Sequence, residues 1–79
     1  MRVDKYLQVS RLIKRRAVAK EAAESGKIMI NGRVVKPSHE VAVGDRLTIQ
    51  WGARQISVEI VEIREHVPAK EAESLYRVV

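Results

Sequence analysis

The 79-residue chain has no cysteine and no phenylalanine. The first absence excludes disulfide staples, thiolate zinc ligands and cysteine nucleophiles, and it fits a reducing compartment. The second leaves Tyr6, Trp51 and Tyr76 as the only aromatics, so a core must rest on Val, Ile, Leu and Ala. No apolar run approaches the roughly 20 residues that span a bilayer. Arg2, Asp4 and Lys5 occupy the place of an apolar signal region, which argues against export. A cytosolic protein with no membrane partner is expected. There is no glycine-rich phosphate loop. His39 and His66 lie far apart without ligands at metal spacing. Glu59, Glu62, Glu65, Glu71 and Glu73 form no paired-carboxylate site. No metal, no cofactor and no enzymatic activity are expected.

A chain of this length buries only roughly 60–65% of its unfolded surface. That allows one thin core and no deep catalytic cleft, so residues 1–79 are read as one domain. What the sequence does have is positive charge in one place. Residues 1–27 hold eight Lys/Arg against three acids, a net +5 equal to that of the whole chain. Residues 28–52 carry +1 and residues 53–79 carry −1. Within Ser10–Lys20 five cations interleave with small and aliphatic residues, a pattern suited to an ordered helical surface. Such a surface most often meets phosphate.

The pattern along the chain predicts an α+β fold: two N-terminal helices, then a small antiparallel sheet. Val3, Tyr6 and Leu7 share one face of a short helix over Val3–Val9, with Asp4 in the first turn where the dipole favours an acid. A second helix is expected over about Lys14–Ser25, with Val18, Ala19, Ala22 and Ala23 inward and Gly26 as its stop. Ser10–Ile13 would connect the two. Asn31-Gly32, flanked by Ile28-Met29-Ile30 and Val34-Val35, predicts a hairpin whose two turn residues have positive φ. Lys36-Pro37-Ser38 breaks the pattern, and Gly44-Asp45 marks another turn. Leu47, Ile49 and Trp51 alternate with polar residues, which puts all three in the core. A last strand carries Ile56, Val58 and Ile60 on one phase but Val61 and Ile63 on the other. Either a bulge near Ile60 or burial of both faces at the strand end would explain this. Ala69–Tyr76 is compatible with a short C-terminal helix, with Ala72, Leu75 and Tyr76 inside.

These residues spell a known pattern. Arg2-Val3-Asp4-Lys5-Tyr6-Leu7, Ser10-Arg11-Leu12, Arg16-x-x-Ala19-Lys20, Gly26-Lys27-Ile28-x-Ile30-Asn31-Gly32, Lys36-Pro37-Ser38 and Val43-Gly44-Asp45 occur in order over residues 1–52. Together they resemble the S4 RNA-binding domain, or alpha-L motif. The chain is similar to the stand-alone ribosome-associated members of that family. Val9–Arg16 and Ala19-Lys20-Glu21 resemble the RqcP family of bacterial ribosome-associated quality control. The tail Lys70-Glu71-Ala72 with Leu75-Tyr76 is similar both to that family and to the S4-type heat-shock protein, the next resemblance. For the first, the resemblance implies binding to an obstructed large subunit, between ribosomal RNA and peptidyl-tRNA. It also implies support for template-free alanine tailing by a partner factor that brings charged tRNA. For the second, it implies binding to large subunits that carry blocked nascent-chain tRNA. A monomer is expected.

Arg2, Lys5, Arg11, Lys14, Arg15, Arg16 and Lys20 are the candidate RNA contacts, with Arg16 foremost and Arg2 next. The Arg fork suits phosphate bidentately and stacks on bases. Lys36 and Lys27 would extend the basic surface, or are ordinary charges flanking a hairpin. Asp4 would serve the helix dipole, or tether Arg11 or Arg15. Tyr6 is assigned to the core with its hydroxyl at the rim. Many S4 domains cap the second helix with Ser or Thr; Arg15 stands there and cannot accept such a bond. Either the helix begins elsewhere, near Ser10, or a cap was given up for a cation. Two other readings of the basic face stand beside RNA: docking to an acidic protein, and a subunit of an RNA-modifying enzyme.

Overall fold

The computed structural model describes residues 1–79. Helix α1 spans Val3–Val9 and α2 spans Arg16–Glu24. Strands follow at Ile28–Ile30 (β1), Arg33–Val34 (β2), Arg46–Trp51 (β3) and Arg54–Ile60 (β4). A 3₁₀ helix, Ala69–Leu75, leads into β5 at Tyr76–Val78. The sheet is antiparallel throughout, in the order β2-β1-β3-β4-β5. This is the expected α+β arrangement.

The α1 helix forms where Val3, Tyr6 and Leu7 recur on one face, and all three are fully buried. Its first free N–H groups have no side-chain cap. Backbone carbonyls replace one: His39 O accepts from Val3 N at 2.7 Å, and Pro37 O from Asp4 N at 3.3 Å. The loop after the first hairpin is thereby bound to the start of the chain. The Met1 ammonium also reaches Glu40 Oε2 at 2.7 Å.

The α2 helix begins at Arg16, two residues later than expected, and Arg15 is its N-cap, with no side-chain capping bond. So the cap is absent. The helix ends on Gly26, with φ +77°. Gly26 N donates to Ala23 O and Lys27 N to Ala22 O, the paired bonds of a Schellman stop. Ala19 and Ala23 are buried, and their small side chains fit α2 closely over α1 and β1. Val18 faces outward, 40% exposed, contrary to the inward stripe expected of it. Between the helices, Arg11 takes φ +64°, a position where glycine is the easy choice.

The Asn31-Gly32 turn has positive φ at both residues and pairs Ile30 with Arg33, as expected. The Asn31 side chain does more than turn the chain. Its Oδ1 accepts from Arg46 N at 2.9 Å, and its Nδ2 donates to Asp45 at 3.2 Å, tying this hairpin to the next turn. Ile28, Ile30, Leu47, Ile49, Val58 and Ile60 face the helices and are buried. Each fully buried aliphatic of this size contributes about 1.5–3 kcal/mol.

Three expectations need correction. Trp51 is 42% exposed, because at the last position of β3 it forms one wall of an open groove whose other wall is α2. Strand β4 has no bulge: its register with β3 is unbroken from Arg54 to Glu59, and with β5 it runs on to Ile60, where it ends. Val61 then leaves the strand, and its phase change is simply the chain departing. The expected short C-terminal helix is present as the 3₁₀ helix Ala69–Leu75, with Ala72 and Leu75 buried as expected, but Tyr76 lies outside it and pairs with Ile60 in β5. The Leu75 carbonyl at that junction accepts from Val61 N, Glu62 N and the Tyr6 hydroxyl, the last at 2.8 Å. The Tyr6 hydroxyl is thus internal, and burial holds the phenol protonated well above its ordinary range, with Tyr76 adding to the effect.

Candidate nucleic-acid interface

The centre of the basic block is an acid. Asp4 sits on α1 with only 2% of its side chain exposed, and it accepts from two guanidiniums. Arg2 Nη2 is 3.1 Å from Oδ2, and Arg16 Nη2 is 3.3 Å from Oδ1. The tether therefore holds Arg2 and Arg16, not Arg11 or Arg15. Their side chains remain 44% and 46% exposed. Each fork has five donors, so most remain available to an outside anion. A buried carboxylate is tolerated only when paired. Two cations on one acid leave the cluster at net +1 and hold both forks in place.

Other candidates extend this cluster. Lys20 lies one turn beyond Arg16 on α2 and is exposed. Lys36 and Pro37 line a shallow depression with Ala23 and Glu24 of α2, while the Pro37 carbonyl is bound to Asp4 N. Arg2, Arg16, Lys20 and Lys36 thus surround the junction of α1, α2 and the loop after the first hairpin. Arg15 and Lys14 are exposed on the approach to α2 and have no ion-pair partner. The uncapped start of α2 adds the positive end of the helix dipole beside Arg15 and Arg16.

Lys5 and Arg11 stand apart. They line a second depression with Gln8, Glu65 and His66. Lys5 is bound to Glu65, and that hydrogen bond and charge hold the Glu65 carboxyl below its usual value. The Arg11 guanidinium reaches only the carbonyl of Gln8, at 3.4 Å. Lys27 is exposed at the far end of α2, away from the Asp4 cluster. The seven other cations of the opening block therefore divide between two places, and Lys27 stands outside both. No local spacing signals the Lys5–Glu65 bond, which joins residues 60 apart. Nor does spacing reveal the Arg2–Asp4–Arg16 bridge, although Arg2-x-Asp4 in one short motif is the trace of half of it.

No helix is long and apolar enough to cross a membrane. The S4 domain family matches residues 1–47. A protein of Halalkalibacterium halodurans described as "RQC P-site tRNA stabilizing factor" is 50% identical over 78 residues, covering 99% of this chain and 89% of that one. A protein of Bacillus subtilis with the same description is 44% identical over 79 residues, covering 100% and 92%. Among solved structures, a trimeric heat shock protein 15 of Vibrio cholerae superimposes with a TM-score of 0.92 at 35% identity, covering 100% of this chain and 81% of that one. The matched span contains Arg2, Asp4 and Arg16, the residues that the structure joins. The chain belongs to the S4 domain family, with the RQC P-site tRNA stabilizing factors and heat shock protein 15 among its relatives.

Proposed function

We propose that this chain is a non-catalytic RNA-binding protein of the cytosol that associates with the large ribosomal subunit and peptidyl-tRNA. The observation that carries this reading is the Asp4 bridge: one buried carboxylate fixing two half-exposed guanidiniums beside an uncapped helix start. Arg2, Arg16, Lys20 and Lys36 form the main contact surface, with Lys14 and Arg15 at its edge and Lys5 and Arg11 on a flank. Recognition is by backbone shape, because A-form RNA hides its base edges in a deep, narrow groove. The domain acts as a brace, wedged between ribosomal RNA and the tRNA that carries a stalled chain. In that place it supports alanine tailing by a quality-control factor that delivers charged tRNA. The likeness to relatives described as stabilizing P-site tRNA supports this. Residues 1–79 act as one S4-like unit, as a monomer.

About six phosphate contacts would cost on the order of 10³-fold in affinity between roughly 50 and 200 mM salt. Binding of purified large subunits should be followed across that range. An affinity nearly independent of salt would refute phosphate recognition. A second reading, rescue of blocked large subunits under heat stress, has support from the structural likeness to heat shock protein 15. Sequencing the RNA recovered with the protein from unstressed and heated cells separates the two. Peptidyl-tRNA with large-subunit RNA in both states supports the quality-control role, and recovery only after heating supports rescue.

A further inference from the structure

Helix α2 has two flanks. Arg16 and Lys20 lie on one, while Val18 and Ala22 lie on the other, one turn apart. The second flank borders a groove whose far wall is the end of β3, with Ile49 and Trp51. Val18 and Trp51 are large apolar residues left 40% and 42% exposed on opposite sides of it. The rim carries Glu21 and Glu24 from α2, against Lys27. Neither glutamate has an ion-pair partner. In a chain of net charge +5, this groove is bordered by two carboxylates and one ammonium. Arg54 stands opposite Trp51 in the strand register, at the hairpin end.

We propose that this groove docks a short basic polypeptide segment, one that places an apolar side chain between Val18 and Trp51 and sets its Lys or Arg residues against Glu21 and Glu24. Charge complementarity selects that occupant over RNA, because two carboxylates on the rim repel a phosphate chain while they pair with cations. The apolar walls supply the contact that charge alone lacks. Val18 and Ala22 lie across α2 from the Arg16–Lys20 row, while Glu24 borders both this groove and the Lys36 depression. The proposal does not rest on the RNA reading.

Trp51 is the only tryptophan, so its fluorescence reports on this groove alone. The full chain should be titrated with a synthetic peptide of alternating Lys and Leu. Peptides alternating Lys with Gly and Glu with Leu, and a single-stranded oligonucleotide, serve as controls. A saturable blue shift is expected with the Lys–Leu peptide only. Its apparent affinity should fall about tenfold in the Glu21→Lys/Glu24→Lys variant, and by less in Glu21→Gln/Glu24→Gln. It should be unchanged in Arg16→Gln. Both glutamates are exposed, so these variants keep the fold. No saturable shift, an equal response to the Lys–Gly peptide, or equal affinity in the charge-reversed variant would each overturn the proposal. Quenching by the oligonucleotide alone would replace it with base stacking on Trp51.

Discussion

The head and the tail of this molecule use the same residue types in opposite ways. In the tail, two of the four cations, Arg64 and Arg77, are matched to acids within the fold, while Arg54 and Lys70 have no carboxylate to orient them. Arg64 lies 3.4 Å from Glu62 and 3.5 Å from Glu71, and Arg77 is bound to Glu59. In the head, Arg2 and Arg16 share one carboxylate, and Lys14, Arg15 and Lys20 have none. Surface pairs of the tail type stabilise a protein by little, but they occupy the donors they join. What separates a binding surface from a solvated one here is therefore not the number of cations. It is the number of donors left over after the internal acids are served, and whether anything holds them in place.

Charge reversal tests that contrast most directly. Arg16→Glu should lower large-subunit affinity on the order of 100-fold, because it removes a positioned fork and sets a second carboxylate beside Asp4. Arg64→Glu changes the net charge equally and should cost less than about twofold. A binding titration with both variants at one salt concentration decides the matter; equal losses would mean that the overall field, not the site, binds RNA. Asp4→Asn comes next in size and is more discriminating. It raises the net charge by one, so a pure charge effect would tighten binding. If Asp4 positions the forks, affinity should instead fall about tenfold while the salt slope stays nearly unchanged.

Much of this was legible in the sequence because the decisive signals were local. The span of α1 follows from the spacing of Val3, Tyr6 and Leu7, the hairpin from Asn31-Gly32, and the stop of α2 from Gly26. The missing cap at Arg15 was also visible. What escaped depends on contacts distant in sequence. Trp51 alternates in phase with Leu47 and Ile49, yet it is left open by the groove between the end of β3 and α2. Val18 looks like part of an apolar stripe, but Ala19 and Ala23 are buried in the core and Ala22 packs at its edge, while Val18 stays outside. Strand β5 follows a helix-like segment and exists because Ile60 offers it an edge. The acid partners of Arg16 and Lys5 could not be read from spacing, because the chain brings Asp4 to Arg16 and Glu65 to Lys5 only when folded.

Arg15 allows stability and binding to be set against each other. Arg15→Ser supplies the hydroxyl that the first free N–H groups of α2 lack, which is worth about 1 kcal/mol. The melting temperature should therefore rise by several degrees for a domain of this size. The same change removes a cation at the helix start, and large-subunit affinity should fall about threefold to tenfold. A variant that gains stability without losing affinity would show that Arg15 stands outside the contact surface.

The smallest effect lies at the boundary between the two regions, where Lys5 of the head is bound to Glu65 of the tail. The Glu65 carboxyl is held below its usual value, first by the hydrogen bond from Lys5 and then by its charge. A group whose folded value is depressed stabilises the fold above its unfolded value, and that contribution fades as pH falls through the folded one. Glu65 is fully exposed, so the effect on melting should be slight, whereas its own titration followed by carboxyl NMR should show a low midpoint. In Lys5→Met that midpoint should return to the ordinary glutamate range. The same variant tests the division of the cationic block, because Lys5 already has an acid partner and Arg16 has donors to spare. If Lys5→Met lowers large-subunit affinity as much as Arg16→Gln does, the two clusters act as one surface; a loss of less than about threefold keeps Lys5 with the tail's paired charges.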